Sequence, residues 1–178
     1  MFLPLSGIRV LDITSIIYGP YTTQILGDLG ADVIKIEPPE GDATRNLGPS
    51  RTAGMGAVFL GSNRNKRSLA IDLKKPEAKE ALWRLVDGAD VLVHNMRPRK
   101  MADLGFDPDT VMARNPKIVY GGLHGYREDG PYGDRPAYDD VIQGESGFAS
   151  AFTVRDGAPM LTPSIVADKS AALLAATG

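Results

Sequence analysis

Ile8–Glu37 reads IRVLDITSIIYGPYTTQILGDLGADVIKIE. Ile8–Ile13 is short and rich in branched apolar residues, as a strand buried on both faces requires. Gly19-Pro20 opens a helix, with Pro where a missing N–H costs nothing. Tyr21, Ile25, Leu26 and Leu29 share one face of that helix, and Gly30 supplies the left-handed residue of a helix stop. Ala31–Glu37 is a second apolar strand. Two strands joined by a helix predict parallel pairing through a right-handed crossover. Ligands of such sheets bind beyond the carboxyl ends of strands, here Thr14–Gly19 and Glu37–Arg45.

The rest of the chain repeats the alternation. Pro38–Arg67 is a long Gly, Pro and polar stretch, a length usually reserved for function or mobility. Ser68–Leu73 reads as a third strand. Pro76 starts a helix with Ala78, Leu82, Leu85 and Val86 on one face and Gly88 as its stop. Asp90–Val93 is a fourth strand ending at His94-Asn95, and MRPRKMADLG after it is a helical turn. Asp107-Pro108 caps a helix ending near Asn115. Lys117–Leu123 is a fifth strand. A Gly/Pro loop, HGYREDGPYGDRPAYDDVIQGESG, enters a helix near Asp139, and PSIVADKSAALLAATG feeds another at about Asp168. The expected fold class is α/β, a Rossmann-like, mostly parallel sheet with flanking helices.

The chain has 178 residues, enough for one domain with a core, and 43% hydrophobic and 24% charged residues are ordinary for a globular protein. A net charge of -2 gives no global attraction for nucleic acid. The absence of Cys excludes disulfides, thiolate metal sites and Cys nucleophiles. No apolar run approaches the roughly 18 residues of a membrane span. MFLPLSGIRV has neither a basic segment before an apolar core nor a cleavage signal, so the expected location is cytoplasmic. LLAATG ends inside an amphipathic helix, which predicts that residues 1–178 are an N-terminal α/β domain belonging to a longer protein.

Motif rules remove several chemistries. Glu37 ends the second strand where a ribose-binding acid sits in dinucleotide folds, but TSIIYGP lacks the G-x-G-x-x-G that admits a pyrophosphate. There is no Walker A sequence and no G-x-S-x-G elbow. His94 and His124 have no partner at metal-ligand spacing, so no metal site is expected. NRNKR (63–67) and MRPRK (96–100) each gather three cations. Each is either a solvated patch or, since both lie at strand ends of one sheet, part of a phosphate-binding face. Asp168 sits between SIVA and KSAALLAA. By pattern it is a helix cap or a carboxylate nucleophile, and caps are the commoner use.

In order and spacing, RVLDITSIIYGPYTTQILGDLGADVIKIEPPEGDATR, NRNKRSLAIDLKKPEAK, ADVLVHNMRP, LGFD, NPKIVY, GYREDGPYGDRPAYDDVIQ and VADKSAALLAA resemble the family III CoA transferases. That family includes formyl-CoA transferase, carnitine CoA-transferase and α-methylacyl-CoA racemase. The resemblance spans essentially the whole chain.

The resemblance implies that Asp168 is the catalytic carboxylate. It would attack an acyl-CoA thioester to form an aspartyl anhydride and then an aspartyl-CoA thioester, from which a carboxylic acid leaves with CoA. Helix N–H groups near it would favour the charged form and bind oxyanions. By matching position, Ile16, Pro38, Ile71, Asn95, Met96 and Arg97 would contact CoA, with Arg97 and Lys100 on its phosphates and the Arg64–Arg67 cluster nearby. Many members carry Arg two residues before the Gly of LGF; here that residue is Asp103, so the contact would be lost or taken by Arg99 or Lys100. Racemases of the family place a His before an Asp where this chain has Tyr138-Asp139. Tyr is a poor base near neutral pH, so the pattern resembles the transferases, with Tyr138 and Asp139 lining the acyl site. His124 stands elsewhere in the loop. CoA and acyl-CoA would be substrates and no covalently bound cofactor is implied. The partners implied are acyl-CoA, a carboxylic acid and a second copy in an interlocked homodimer, with no nucleic acid or membrane. Members are longer and carry a glycine-rich active-site loop in their second half, so a piece of 178 residues is expected to be inactive alone.

Overall fold

The computed structural model describes residues 3–133, 135–152 and 157–178. Asp134 of the Gly/Pro loop and residues 1, 2 and 153–156 lie outside the described residues. Strands β1 (Arg9–Ile13), β2 (Asp32–Glu37), β3 (Lys66–Ala70), β4 (Val91–His94) and β5 (Val119–Gly122) form one sheet in the order β3-β2-β1-β4-β5. Every pairing is parallel, with Val10 opposite Val33 on one side and Val91 on the other. Helices α1 (Tyr18–Asp28), α2 (Ala57–Ser62), α3 (Pro76–Val86), α4 (Pro98–Leu104), α5 (Pro108–Arg114), α6 (Asp139–Glu145) and α7 (Val166–Thr177) connect or cover the strands. The α/β architecture expected from the alternation is the one observed. No helix among the described residues is long and apolar enough to cross a membrane.

Strand alternation gives the sheet two unlike faces. One is apolar up to His94 at the end of β4: Leu11, Ile13, Ile34, Ile36 and Leu92 pack against Leu82 and Val86 of α3, Met101 of α4, Phe106 and Val111 of α5. On the other, Val10, Val33 and Val93 share the surface with Asp12, Lys35 and Glu37, all buried. Lys66, registered with Val33, joins that second face from β3. Its Nζ meets Asp12 Oδ2 at 2.9 Å, the Pro20 carbonyl at 2.8 Å and Asn63 Oδ1 at 2.9 Å. Lys35 Nζ donates to the Thr14 carbonyl at 2.9 Å and pairs with Asp42 Oδ2 at 2.9 Å, without hydrogen-bond alignment in the second contact. Asp12 also accepts from Thr23 Oγ1 at 2.7 Å and from the Thr14 N–H at 2.9 Å. Burial pushes the Asp12 carboxyl up, but the charges of Lys66 and Lys35 and the hydrogen bonds from the Thr14 hydroxyl and Lys66 outweigh it and hold it below the ordinary range. Burial pulls the Lys66 ammonium down to about 8 against the attraction of Asp12.

This polar face explains why α1 does not bury the predicted stripe. Leu29 is exposed and Ile25 and Leu26 only half-buried, while Gly19, Pro20, Thr22, Thr23, Gln24 and Gly27 are buried. The helix lies close enough that a Cβ on Gly19 would stand 2.3 Å from Thr14 Cβ. Leucines would neither fit that gap nor satisfy Asp12. The third strand likewise begins at Lys66, two residues before its predicted start, because its cations pair within the sheet. Arg67 pairs bidentately with Asp32, and Arg64 with Asp28. The NRNKR cluster is thus spent on ion pairs at the start of β3, away from the carboxyl ends of the strands.

Replacing Asp12 by Asn leaves Lys66 as an uncompensated buried charge. The expected loss is about 3–5 kcal/mol, read from the urea midpoint of the full-length protein. Asp12→Asn combined with Lys66→Met should recover most of it. A single-mutant loss too small to measure would contradict the assigned role of the pair.

Candidate active site

The order β3-β2-β1-β4-β5 reverses direction between β1 and β4, and a crevice opens beyond the carboxyl ends of strands at such a point. A cleft of about 400 Å³ occupies it. Ser15–Tyr18 after β1, Asn95, Arg97 and Pro98 after β4, and Leu123–Tyr126 after β5 form one wall. Gly133 and Arg135–Tyr138 before α6, with Ala167, Asp168 and Ala171 of α7, form the other.

The first wall is held by reciprocal bonds. The Ser15 N–H donates to Asn95 Oδ1 at 3.0 Å and Asn95 Nδ2 donates to the Ser15 carbonyl at 2.8 Å, joining the ends of neighbouring strands. Ile16 follows with φ 73°, a conformation that a β-branched residue adopts only when its surroundings impose it. His94 Nδ1 and His124 Nε2 both donate to the Met96 carbonyl, at 3.1 and 3.0 Å. Burial and the neighbouring His124 push His94 down to about 4, so it is a neutral structural imidazole at physiological pH. His124 lies in the cleft, but its Nδ1 stands 3.0 Å from Glu128 Oε1, so both ring nitrogens are engaged.

Asp168 is not the cap of its helix. Residue Ile165 occupies the cap position of α7 without a side-chain bond, and Asp168 lies in the first turn. The capping carboxylate comes from α6: Asp139 Oδ2 accepts the Asp168 N–H at 2.9 Å, while Gln143 Nε2 donates to Asp139 Oδ1. The Val166 and Lys169 N–H groups are bound to Ser164 and Ile165 carbonyls. Of the early amides of α7, that of Ala167, which lines the cleft, has no partner among the described residues. Burial raises the Asp168 carboxyl above the ordinary value and the Asp139 carboxylate raises it further. This reverses the expectation that helix N–H groups would favour the charged form. Burial and the charge of Asp168 also raise the nearby Tyr18 phenol.

Of the residues singled out in the sequence, the cleft gathers Ile16, Asn95, Arg97, Tyr138 and Asp168. Asp139 is buried behind them as the support of Asp168. Pro38 and Lys100 are exposed outside the cleft lining, and Ile71 and Met96 pack against the apolar core. The Glu37–Arg45 stretch is closed upon itself: Arg45 Nε donates to Glu37 Oε2 at 2.7 Å and the Asp42 N–H to the same oxygen at 2.9 Å. Burial raises Glu37, but Arg45, Ser68 and the Asp42 amide outweigh it and set the carboxyl at about 2. No strand-end acid is left for a ribose there. Ser15 and Tyr18 fall in the predicted strand-end stretch Thr14–Gly19, His124 lines the cleft without any role expected of it, and Arg135 is a cleft residue that pattern did not single out. Among the described residues there is no cluster that holds a metal.

A parallel α/β sheet with a carboxylate-bearing cleft at its switch point defines the class of protein. The family model described as CoA-transferase family III matches residues 5–178, and the chain belongs to that family. A succinate–glutarate CoA-transferase of Agrobacterium fabrum is 42% identical over 172 residues, covering 93% of this chain and 43% of the relative. A formyl-CoA:oxalate CoA-transferase of Streptomyces avermitilis is 39% identical over 174 residues, covering 98% and 42%. The crystal structure of a CAIB/BAIF family protein from Brucella suis superposes with a TM-score of 0.91 at 35% identity, covering 99% of this chain and 49% of that one. The chain therefore spans less than half the length of these relatives.

The raised Asp168 carboxyl has a stability consequence. Its ionisation costs the folded state free energy at neutral pH, and the cost vanishes as pH falls below the unfolded-state value. Asp168→Asn should raise the melting temperature at pH 7 and lose that advantage in acid. Asp139→Asn should lower the Asp168 midpoint in a carbon-13 NMR titration. A midpoint unchanged or raised by Asp139→Asn would refute the electrostatic coupling.

Proposed function

We propose that the full-length protein transfers CoA from an acyl-CoA to a carboxylic acid, with Asp168 as the nucleophile. The observation that carries this reading is a half-buried carboxylate of raised basicity facing the switch-point cleft of a family III fold. Higher basicity makes an ionised oxygen a better nucleophile, provided the pH lies above its midpoint.

An Asp168 oxygen bonds to the acyl carbon, the C–S bond breaks, and CoA leaves as thiolate from a mixed anhydride. The thiolate attacks the Asp168 carbonyl carbon, the first acid departs as carboxylate, and an aspartyl-CoA thioester remains. The second acid attacks that carbonyl and again displaces thiolate. The thiolate then takes the second acyl group and frees Asp168. The Ala167 N–H is the chain's own donor for the oxyanions of these additions. Asp139 acts through the Asp168 amide, as a positioning residue. Arg97 at the mouth, with Lys100 one helical turn further, suits the phosphates of CoA.

Relatives named as succinate–glutarate and formyl-CoA:oxalate CoA-transferases support this reading over α-proton transfer. So does the cleft, where His124 is tied through both nitrogens and Tyr138 is exposed. The chain covers 43% and 42% of these relatives, which supports a protein whose remaining half completes the site and an isolated stretch of 178 residues that does not turn over. The homodimer as working unit rests on the family resemblance alone.

Asp168→Ala in the full-length protein should reduce CoA exchange between acids by about a thousandfold or more. Hydroxylamine added during turnover should leave a hydroxamate on the peptide carrying Asp168, found by mass spectrometry. Retained exchange in the variant, or a hydroxamate on another carboxyl, would refute the assignment.

A further inference from the structure

Arg135 lines the cleft on the same wall as Asp168, and among the described residues it has no acidic partner. Its guanidinium carbon sits 4.3 Å above the centre of the Tyr132 ring. Tyr132 in turn packs edge-on against Tyr126, a residue of the facing wall, with centroids 5.6 Å apart. The backbone holding Arg135 is a chain of tight turns. The Gly130 N–H binds the Arg127 carbonyl at 3.0 Å, Gly133 that of Gly130 at 3.1 Å, and Arg135 that of Tyr132 at 2.9 Å. A Cβ on Gly133 would stand 2.3 Å from the Glu128 carbonyl oxygen, so this path is closed to other residues without a shift.

Stacking fixes the plane of the guanidinium, and among the described residues no side chain occupies its edge N–H groups. A free planar fork matches a carboxylate through two parallel hydrogen bonds. The other cation of the cleft without an acidic partner among the described residues, Arg97, begins α4 beside Arg99 and Lys100, whereas the nearest cation in sequence to Arg135, Arg127, is paired with Asp129. An acid approaching Asp168 brings negative charge toward negative charge. Its reacting carboxylate loses that charge on becoming a thioester, but a second carboxylate keeps it throughout and needs a permanent counter-charge.

We propose that Arg135 is a specificity residue that holds the second, unreacting carboxylate of a dicarboxylic acid while the first faces Asp168. This rests on the CoA-transfer reading above and names its substrate class. Glutarate and pentanoate, equal in chain length and differing by one terminal carboxylate, are the probes, with the full-length protein and one acyl-CoA donor. The kcat/KM for glutarate should exceed that for pentanoate by at least about a hundredfold. Arg135→Gln should cut this ratio at least tenfold, with Arg135→Lys between the two. Glutarate, and not pentanoate, should also slow phenylglyoxal modification of Arg135, followed by peptide mass, a readout that requires no turnover. Equal use of the two acids by the wild type, a ratio unchanged by Arg135→Gln, a KM rise confined to acyl-CoA, or equal protection would overturn the proposal. Transfer to neither acid nor any other, with glutarate still protecting Arg135, would instead sink the CoA-transfer reading and leave the carboxylate site standing.

Discussion

The buried pair between Lys66 and Asp12 is the contact from which the working end of the molecule follows. A lysine on an edge strand and an aspartate on the central one are both withdrawn from water, and neither is tolerable there alone. Their desolvation is offset by a shell of oxygen and nitrogen partners: Thr14 of the β1–α1 turn, Pro20 and Thr23 of α1, and Asn63 at the end of α2. That shell leaves the turn little freedom. Lys35 draws in the Thr14 carbonyl from below, Asn95 clamps Ser15 from the side, and Ile16 is left in a left-handed conformation at the cleft. Backbone strain of this kind survives only where neighbouring contacts over-determine it.

The carboxylates divide into two populations by their surroundings. Asp12, Asp42 and Glu37 are buried beside cations and are held below the ordinary range despite burial. Asp168 is half-buried beside another carboxylate and is raised. The first group is permanently ionised and structural. The second is a group whose charge the fold resists, the feature on which its proposed role rests. Asp139 joins these requirements in one side chain: it caps the helix that presents Asp168 and supplies the like charge that raises it.

Much of this was legible in the residues. Apolar strand runs, Pro at helix starts and Gly after helix ends placed the alternating elements, and the parallel sheet followed from them. What escaped was governed by contacts between distant segments. The Gly and Thr face of α1 has meaning only beside Asp12 and Lys66, so local periodicity pointed to the leucines instead. NRNKR looked like a ligand patch because Asp28 and Asp32, its partners, lie more than thirty residues earlier. Within Pro38–Arg67, the 3-10 turn Ala43–Asn46 and α2 are set by the Glu37–Arg45 pair and by Arg45 over the Phe59 ring, neither of which has a local signature. Arg135 was one charge in a polar loop until the fold set it in the same cleft as Asp168.

The position of Asp168 carries one more constraint. It is presented by α7, which packs on α1, where Ala172 is buried and Thr22 Oγ1 approaches its carbonyl at 3.4 Å. It reaches the loop wall through Asp139 on α6. The distance between Asp168 and the strand ends is therefore set by a helix on a helix, not by the sheet itself. Small residues at both joints make the approach possible: Gly19 against Thr14 under α1, and Gly125 against Ala137 across the cleft, where an added Cβ would meet its neighbour at 2.1 Å. Larger side chains at either joint would separate the two walls while the sheet stayed intact. Cleft width is thus a property of these close approaches, and the conformation of the β1–α1 turn is a property of the buried charges beneath it.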